Sequence, residues 1–148
     1  MARTTTETDA ARSAQMARVR NKDTKPEIKV RKALHAAGLR FRLQARDLPG
    51  RPDIVFRSRR IAIFVHGCFW HRHPEPTCKL TRTPKSRLEF WEPKFEANIA
   101  RDARDQTALR ERGWTVIIVW ECELAKPSTI EQLIDEVRGA PGPTRLSR

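Results

Sequence analysis

The sequence predicts one α/β domain with a mixed central sheet flanked by helices, and three observations carry that prediction. Val116-Ile117-Ile118-Val119, inside Trp114–Trp120, is the continuous apolar run of a strand buried on both faces. Asp53-Ile54-Val55-Phe56 and the stretch from Arg60 to Val65 are shorter apolar runs joined by a tight basic turn at Arg57-Ser58-Arg59, which reads as two adjacent strands. Segments with helical spacing precede, separate and follow these runs. With 148 residues the chain is long enough for a real core.

The elements follow in order. Residues 1–20 are polar and basic, with Met16 and Val19 as their only sizeable apolar groups, so they read as a flexible arm, or a short helix that orders on a partner. The folded domain spans residues 21–139. Pro26 opens its first helix as a first-turn proline, Ile28, Val30, Leu34 and Ala37 supply the apolar positions, and Gly38 closes it. Leu39 to Leu43 reads as a strand, and Leu48-Pro49-Gly50-Arg51-Pro52 as a turn. Gly67 to Lys85 has no periodicity, so something other than a core must hold it. Ser86 and Glu89 form a capping-box pattern ahead of a short helix, a break at Pro93, and a longer helix to about Arg112 that Gly113 stops. Ser128 and Glu131 cap a last helix ending at Gly139, and residues 140–148 form a frayed tail.

The net charge is +12, and it is uneven. Residues 1–50 hold 12 Lys/Arg against 5 Asp/Glu, residues 51–100 hold 10 against 5, and residues 101–148 hold 8 of each. A basic N-terminal two-thirds on a neutral remainder predicts a face for a polyanion, most simply nucleic acid. No apolar run approaches the ~20 residues of a membrane span, and the start MARTTTETDAARS lacks the apolar core of a secretory signal. A cytoplasmic protein is expected. Three cysteines in a reducing compartment then point to metal binding or burial, not to a disulfide framework.

The chemistry concentrates in Phe64-Val65-His66-Gly67-Cys68-Phe69-Trp70-His71-Arg72-His73, which holds three of the four histidines. Asp53 heads one strand and faces the end of its hairpin partner, an arrangement that holds Mg²⁺ against a phosphate; an ordinary turn Asp is the alternative. Cys68, His73 and Cys78 recur at five-residue steps, and Cys122 lies beyond the far strand, so one His and three Cys fit a closed structural Zn²⁺ site. His71 is an alternative ligand to His73, and three buried thiols are the bland alternative to the whole site. His66 and His71 suit proton transfer beside a metal-bound carboxylate, or are structural imidazoles. Phe69-Trp70 and Phe90-Trp91 suit a wedge between base pairs, or core packing; Trp114 and Trp120, on the apolar strand, read as core.

Taken together, Asn21-Lys22-Asp23-Thr24-Lys25-Pro26-Glu27, Leu48 to Asp53, Phe64 to His71, Glu89-Phe90-Trp91, and Gly113-Trp114 with Val119-Trp120-Glu121-Cys122 resemble the very-short-patch mismatch endonuclease (Vsr) family. The resemblance runs in order from about Ser13 to about Arg138. It implies the fold of type II restriction endonucleases with a Zn²⁺ staple, in an endonuclease domain over residues 21–139. It also implies a Mg²⁺-dependent enzyme that nicks one strand on the 5′ side of the thymine in a T·G mismatch and leaves a 5′-phosphate. The metal carboxylate falls on Asp53, with the backbone carbonyl of Val65 beside it where the best-known pattern has Thr. The active-site histidines fall on His66 and His71, an acidic residue that orders water on Glu27, the wedge on Phe69, Trp70 and Trp91, and the Zn²⁺ ligands on Cys68, His73, Cys78 and Cys122.

The expected substrate is double-stranded DNA carrying the mismatch. It is gripped by Arg12, Arg18, Arg20, Lys22 and Lys25 as well as by the wedge. The expected actor is a monomer working at the nucleoid, with mismatch-repair proteins as partners. Two other readings share these residues: a binder of distorted DNA that does not cut it, and a nuclease with another target, such as invading DNA.

Overall fold

The structure is a computed structural model and describes residues 24–139. The expected arm with Arg12, Arg18, Arg20 and Lys22, and the tail 140–148, lie outside the described residues. Thr24 caps the first helix, α1 (Lys25–Ala36), by accepting from the Glu27 N–H at 3.4 Å, and Pro26 lies in its first turn. Gly38, at φ +81°, supplies the left-handed turn that ends it. Four strands follow: β1 (Arg42–Leu43), β2 (Ile54–Phe56), β3 (Ile61–His66) and β4 (Thr115–Trp120). Between β3 and β4 lie a one-turn helix, α2 (Cys68–His71), and the long α3 (Leu88–Glu111). A 3-10 helix (Glu121–Ala125) and α4 (Pro127–Gly139) complete the described residues.

The strands form a mixed sheet in the order β1-β2-β3-β4, antiparallel up to β3 and parallel between β3 and β4. The pleat sorts alternate residues to opposite faces. On one face Ile54, Phe56, Ile61, Ile63, Val65 and Val119 pack with Val30 and Leu34 of α1 and Leu133 and Val137 of α4. On the other, Val55, Ala62 and Phe64 pack against Leu109 of α3. Helices on both faces explain why β3 is buried at every position and reads as an unbroken apolar run. No helix among the described residues is long and apolar enough to cross a membrane.

The secondary-structure elements depart from the sequence reading at five places. Only Arg42–Leu43 of the expected strand 39–43 enters the ladder; Leu39 is buried in the core and Phe41 packs edge-on against Phe56 at 6.1 Å instead. β4 has apolar residues on both faces, but it ends the described sheet, so only Val119 is fully buried. The Ser86 capping box is absent: Arg87, in a left-handed conformation, precedes α3, and no side chain caps it. Pro93 does not break α3. It removes one backbone donor, while Trp91 and Phe95, buried on either side of it, hold the helix across the gap. Finally, α4 starts at Pro127, which places Ser128 inside the first turn.

Candidate active site and metal cluster

The sheet delivers the chemistry to one end. Asp53 immediately precedes β2, and the pairing of Ile54 with Ile63 brings its carboxylate to the end of β3, where Oδ2 accepts from the Val65 N–H at 2.8 Å. The backbone extends the β1–β2 ladder on that side, with Gln44 N–H on Asp53 O at 3.1 Å and Ala45 N–H on Pro52 O at 3.2 Å. Glu27 arrives from α1, buried and paired with Arg31 at 3.1 Å. Burial pushes the Asp53 carboxyl up to about 7, and the neighbouring Glu27 charge adds to that against the Val65 hydrogen bond. Two carboxylates facing one cleft disfavour each other's charge, which is the condition that a divalent cation relieves. These oxygen donors fit Mg²⁺.

Gly50 sets the position of this turn. It has φ +76°, and a Cβ there would lie 2.9 Å from the Cβ of Asp105 on α3 and 3.1 Å from the Phe64 ring. The Leu48–Asp53 turn therefore lies directly on α3. Gly50→Ala combines a disfavoured φ with overpacking, at about 1–3 kcal/mol. Thermal melting should show a fall of roughly 3–15 °C.

The imidazoles complete the cleft. His66 ends β3 buried, and His71 ends α2 half-buried; their rings stack at 3.8 Å and 4°. Burial, with the His71 charge adding to it, pushes His66 down to about 3, so it stays neutral at working pH. His71 Nδ1 lies 2.6 Å from Asp102 Oδ2 on α3. Burial alone would raise Asp102, but the hydrogen bond and charge of His71 outweigh it and hold that carboxyl below its usual range. The pair with its carboxylate does not suit a shared cation as it stands, because parallel rings direct their in-plane lone pairs side by side. The arrangement suits proton transfer through His71 Nε2, with Nδ1 engaged by Asp102. A cleft of about 660 Å³ opens over these groups, and Gln44, Arg46, Arg51 and Arg101 also line it.

Asp102 and the cleft arginines were not found in the sequence. A signal for Asp102 exists. Trp91, Phe95, Asn98, Asp102, Asp105 and Leu109 form one stripe of α3 at alternating spacings of four and three. A core-facing stripe that turns polar only in its middle marks where a helix passes a site.

Beside the cleft lies the sulfur cluster. One ligand atom from each of Cys68, His73, Cys78 and Cys122 falls within 4.8 Å of the others. His73 Nδ1 is 3.8 Å from Cys68 Sγ and 3.3 Å from Cys122 Sγ. Tetrahedral ligands at ordinary Zn–S and Zn–N lengths stand roughly 3.5–3.8 Å apart, so the donor set and spacing fit Zn²⁺. Burial pushes the Cys68 thiol up to about 12 and raises Cys122 as well. The Thr81 hydroxyl, donating to Cys78 Sγ at 3.2 Å, leads the contacts that draw Cys78 down to about 6. His73, and not His71, joins the cysteines.

The expected wedge residues gather in one aromatic cluster. Phe69 meets Trp70, Trp91 and Phe95 edge-on at 5.3, 5.5 and 5.3 Å. Phe69 and Trp70 are half-buried, whereas Trp91 is buried behind them. Lys25 is exposed at the start of α1. Trp120 departs from its expected core role: at the end of the sheet it is only partly buried, between His66 and His73.

A carboxylate at a strand end, a carboxylate-bound imidazole and an arginine-lined cleft are groups compatible with phosphodiester cleavage. Comparison with known proteins agrees with that chemistry. The sequence model of the DNA mismatch endonuclease Vsr family matches residues 4–77. A type II nicking enzyme, V.XorIIP, of Xanthomonas oryzae is 55% identical over 116 residues, covering 78% of this chain and 83% of its own. The DNA mismatch endonuclease Vsr of Escherichia coli is 46% identical over 127 residues, covering 86% and 78%. The nicking enzyme V.NmeAIP of Neisseria meningitidis is 38% identical over 137 residues, covering 90% and 96%. The chain belongs to the Vsr family of DNA mismatch endonucleases.

Proposed function

We propose that this endonuclease is Mg²⁺-dependent and nicks one strand of double-stranded DNA on the 5′ side of the thymine in a T·G mismatch, within a restriction-endonuclease-like fold. The observation that carries the chemistry is the convergence of Asp53, Glu27, His66 and the His71–Asp102 pair on one cleft. Asp53 and the Val65 carbonyl would hold the metal, and Glu27 would order water beside it. When bound, Mg²⁺ supplies positive charge against the scissile phosphate and the leaving oxygen. His71 takes a proton through Nε2 from the water that attacks phosphorus; the bond to the 3′ oxygen breaks, and that oxygen takes a proton from solvent water, while His71 later returns its own to solvent. Asp102 holds the His71 ring and stabilises its charged form. Neutral His66 supports the ring face and offers a hydrogen bond without charge.

Phe69 and Trp70, backed by Trp91, wedge into the mismatched step, where unstacking costs least. Arg12, Arg18, Arg20, Lys22 and Lys25 contact phosphates. Zn²⁺ in the Cys68, His73, Cys78 and Cys122 cluster is structural. The protein works as a monomer in the cytoplasm at the nucleoid, with mismatch-repair proteins as partners. A nicking assay on a T·G duplex beside a T·A control, with and without Mg²⁺, tests the reading. Nicking of the T·G duplex alone, and only with Mg²⁺, is expected. Binding without a nick would leave a DNA-binding role, and equal nicking of both duplexes would remove mismatch specificity.

A further inference from the structure

We propose that Trp120 is a positioning residue that transmits the order of the sulfur cluster to the active-site imidazoles. Its indole stacks on His73 at 4.4 Å and 16° and meets His66 edge-on at 5.1 Å and 73°. His66 in turn stacks on His71, which is bound to Asp102. The rings thus form one continuous series from the cluster to the group assigned the proton transfer.

The backbone fixes this series. The β3–β4 register places Trp120 directly opposite His66. Glu123 Oε1 accepts from the Trp120 N–H at 3.3 Å, which locks the strand end. Two residues on, the Cys122 N–H donates to Cys68 Sγ at 3.4 Å and its own Sγ lies 3.3 Å from His73.

His66 needs such a support. Its Nδ1 is buried with no hydrogen-bond partner. Ring contacts therefore set the plane of the ring: His71 stacked on one face, with Phe64 tilted at 5.8 Å and Trp120 edge-on around it. Of these, Trp120 also stacks on His73 of the cluster. A mere filler would be enclosed, but Trp120 is partly exposed and lines a second cleft of about 350 Å³ with His66, His71 and Arg72.

The test compares Trp120→Leu, which removes the flat ring, with Trp120→Phe, which keeps one. Zinc content, DNA affinity and single-turnover nicking at saturating DNA are measured for both, together with NMR contacts between the His66 and His71 rings in the free protein. Trp120→Leu should keep its zinc and bind DNA within about twofold of wild type, yet nick on the order of 10²-fold more slowly, the cost of a small misplacement of reacting groups. Its His66–His71 ring contacts should weaken, and Trp120→Phe should restore both the contacts and most of the rate. Trp120→Leu with wild-type ring contacts, or with a wild-type rate, overturns the proposal. So does loss of zinc in Trp120→Leu, which would make the indole part of the packing of the cluster itself. The proposal rests on the nicking reading for its rate, but the ring contacts are read without DNA. A wild-type protein that fails to nick T·G DNA would therefore remove that reading and leave this one decided by NMR.

Discussion

Asp53→Asn should lower nicking on the order of 10³-fold under saturating Mg²⁺, because the charge at the scissile phosphate is worth several kcal/mol and each 1.36 kcal/mol is tenfold in rate. DNA binding should hold or tighten, since a negative group leaves a cleft that receives phosphates. The substitution preserves shape: an amide oxygen still accepts from the Val65 N–H, which Asp53 now engages at 2.8 Å. A second readout needs no DNA. In the metal-free protein the Asp53 carboxyl is raised from 3.8 to about 7, chiefly by burial. Between those values the folded state binds the proton and the unfolded state does not, so this group's contribution to stability falls as pH rises through that window. Asparagine does not titrate there. Metal-free Asp53→Asn should therefore melt above the metal-free wild type at pH 8 and close to it at pH 4. A wild-type nicking rate in Asp53→Asn would remove the proposed site; equal melting differences at both pH values would remove the buried-carboxylate account.

How legible the molecule was depended on whether a residue's role is written in its neighbours. β3 was readable because helices cover both faces of the sheet and each of its six positions is buried. The grouping of Cys68, His73, Cys78 and Cys122 was readable for a different reason: the aperiodic stretch after Gly67 offered no apolar pattern to hold itself. Helix starts were less readable. Ser86 and Ser128 each matched a capping pattern, but packing of Trp91 and Phe95 on one side, and Pro127 on the other, decided where the helices begin. The same packing carries α3 through Pro93, a tertiary override of a local signal.

The cleft was legible in its motif residues and not in the groups that pack around them. Asp53, His66 and His71 lie in compact, chemically dense stretches. Asp102 lies 31 positions from His71 on a long helix, where an Asp resembles any solvated charge until the partner strand is placed. Gly50 looked like a turn glycine, and its close approach to Asp105 depends on α3 crossing the turn. Trp120 looked like core because it ends an apolar run. Its place between two imidazoles follows from the parallel register of β3 and β4, which spacing along the chain does not contain.

Cys122→Ser should release the zinc and lower the melting temperature by on the order of 10 °C or more, a change that the free energy of structural zinc sites, about 10–16 kcal/mol, is large enough to supply. The reason lies in what else holds the loop. Residues 72–87 include no buried residue. Ordering each residue costs about 1–2 kcal/mol of backbone entropy, and this stretch has no core with which to offset it. Besides the stack of His73 on Trp120, the cluster ties that loop to the segment after β4: His73 Nδ1 lies 3.3 Å from Cys122 Sγ, and the Cys122 N–H donates to Cys68 Sγ at 3.4 Å. Serine nearly preserves size and leaves the backbone donor in place, but it replaces a thiolate with a hydroxyl, which is a poor zinc ligand at neutral pH. Elemental analysis should give about one zinc per wild-type chain and far less in the variant. A chelator should lower the wild-type melting temperature toward that of Cys122→Ser and leave the variant unchanged. A variant with full zinc, or a zinc-free wild type that melts at the same temperature as the loaded protein, would show that the four residues pack without needing a metal.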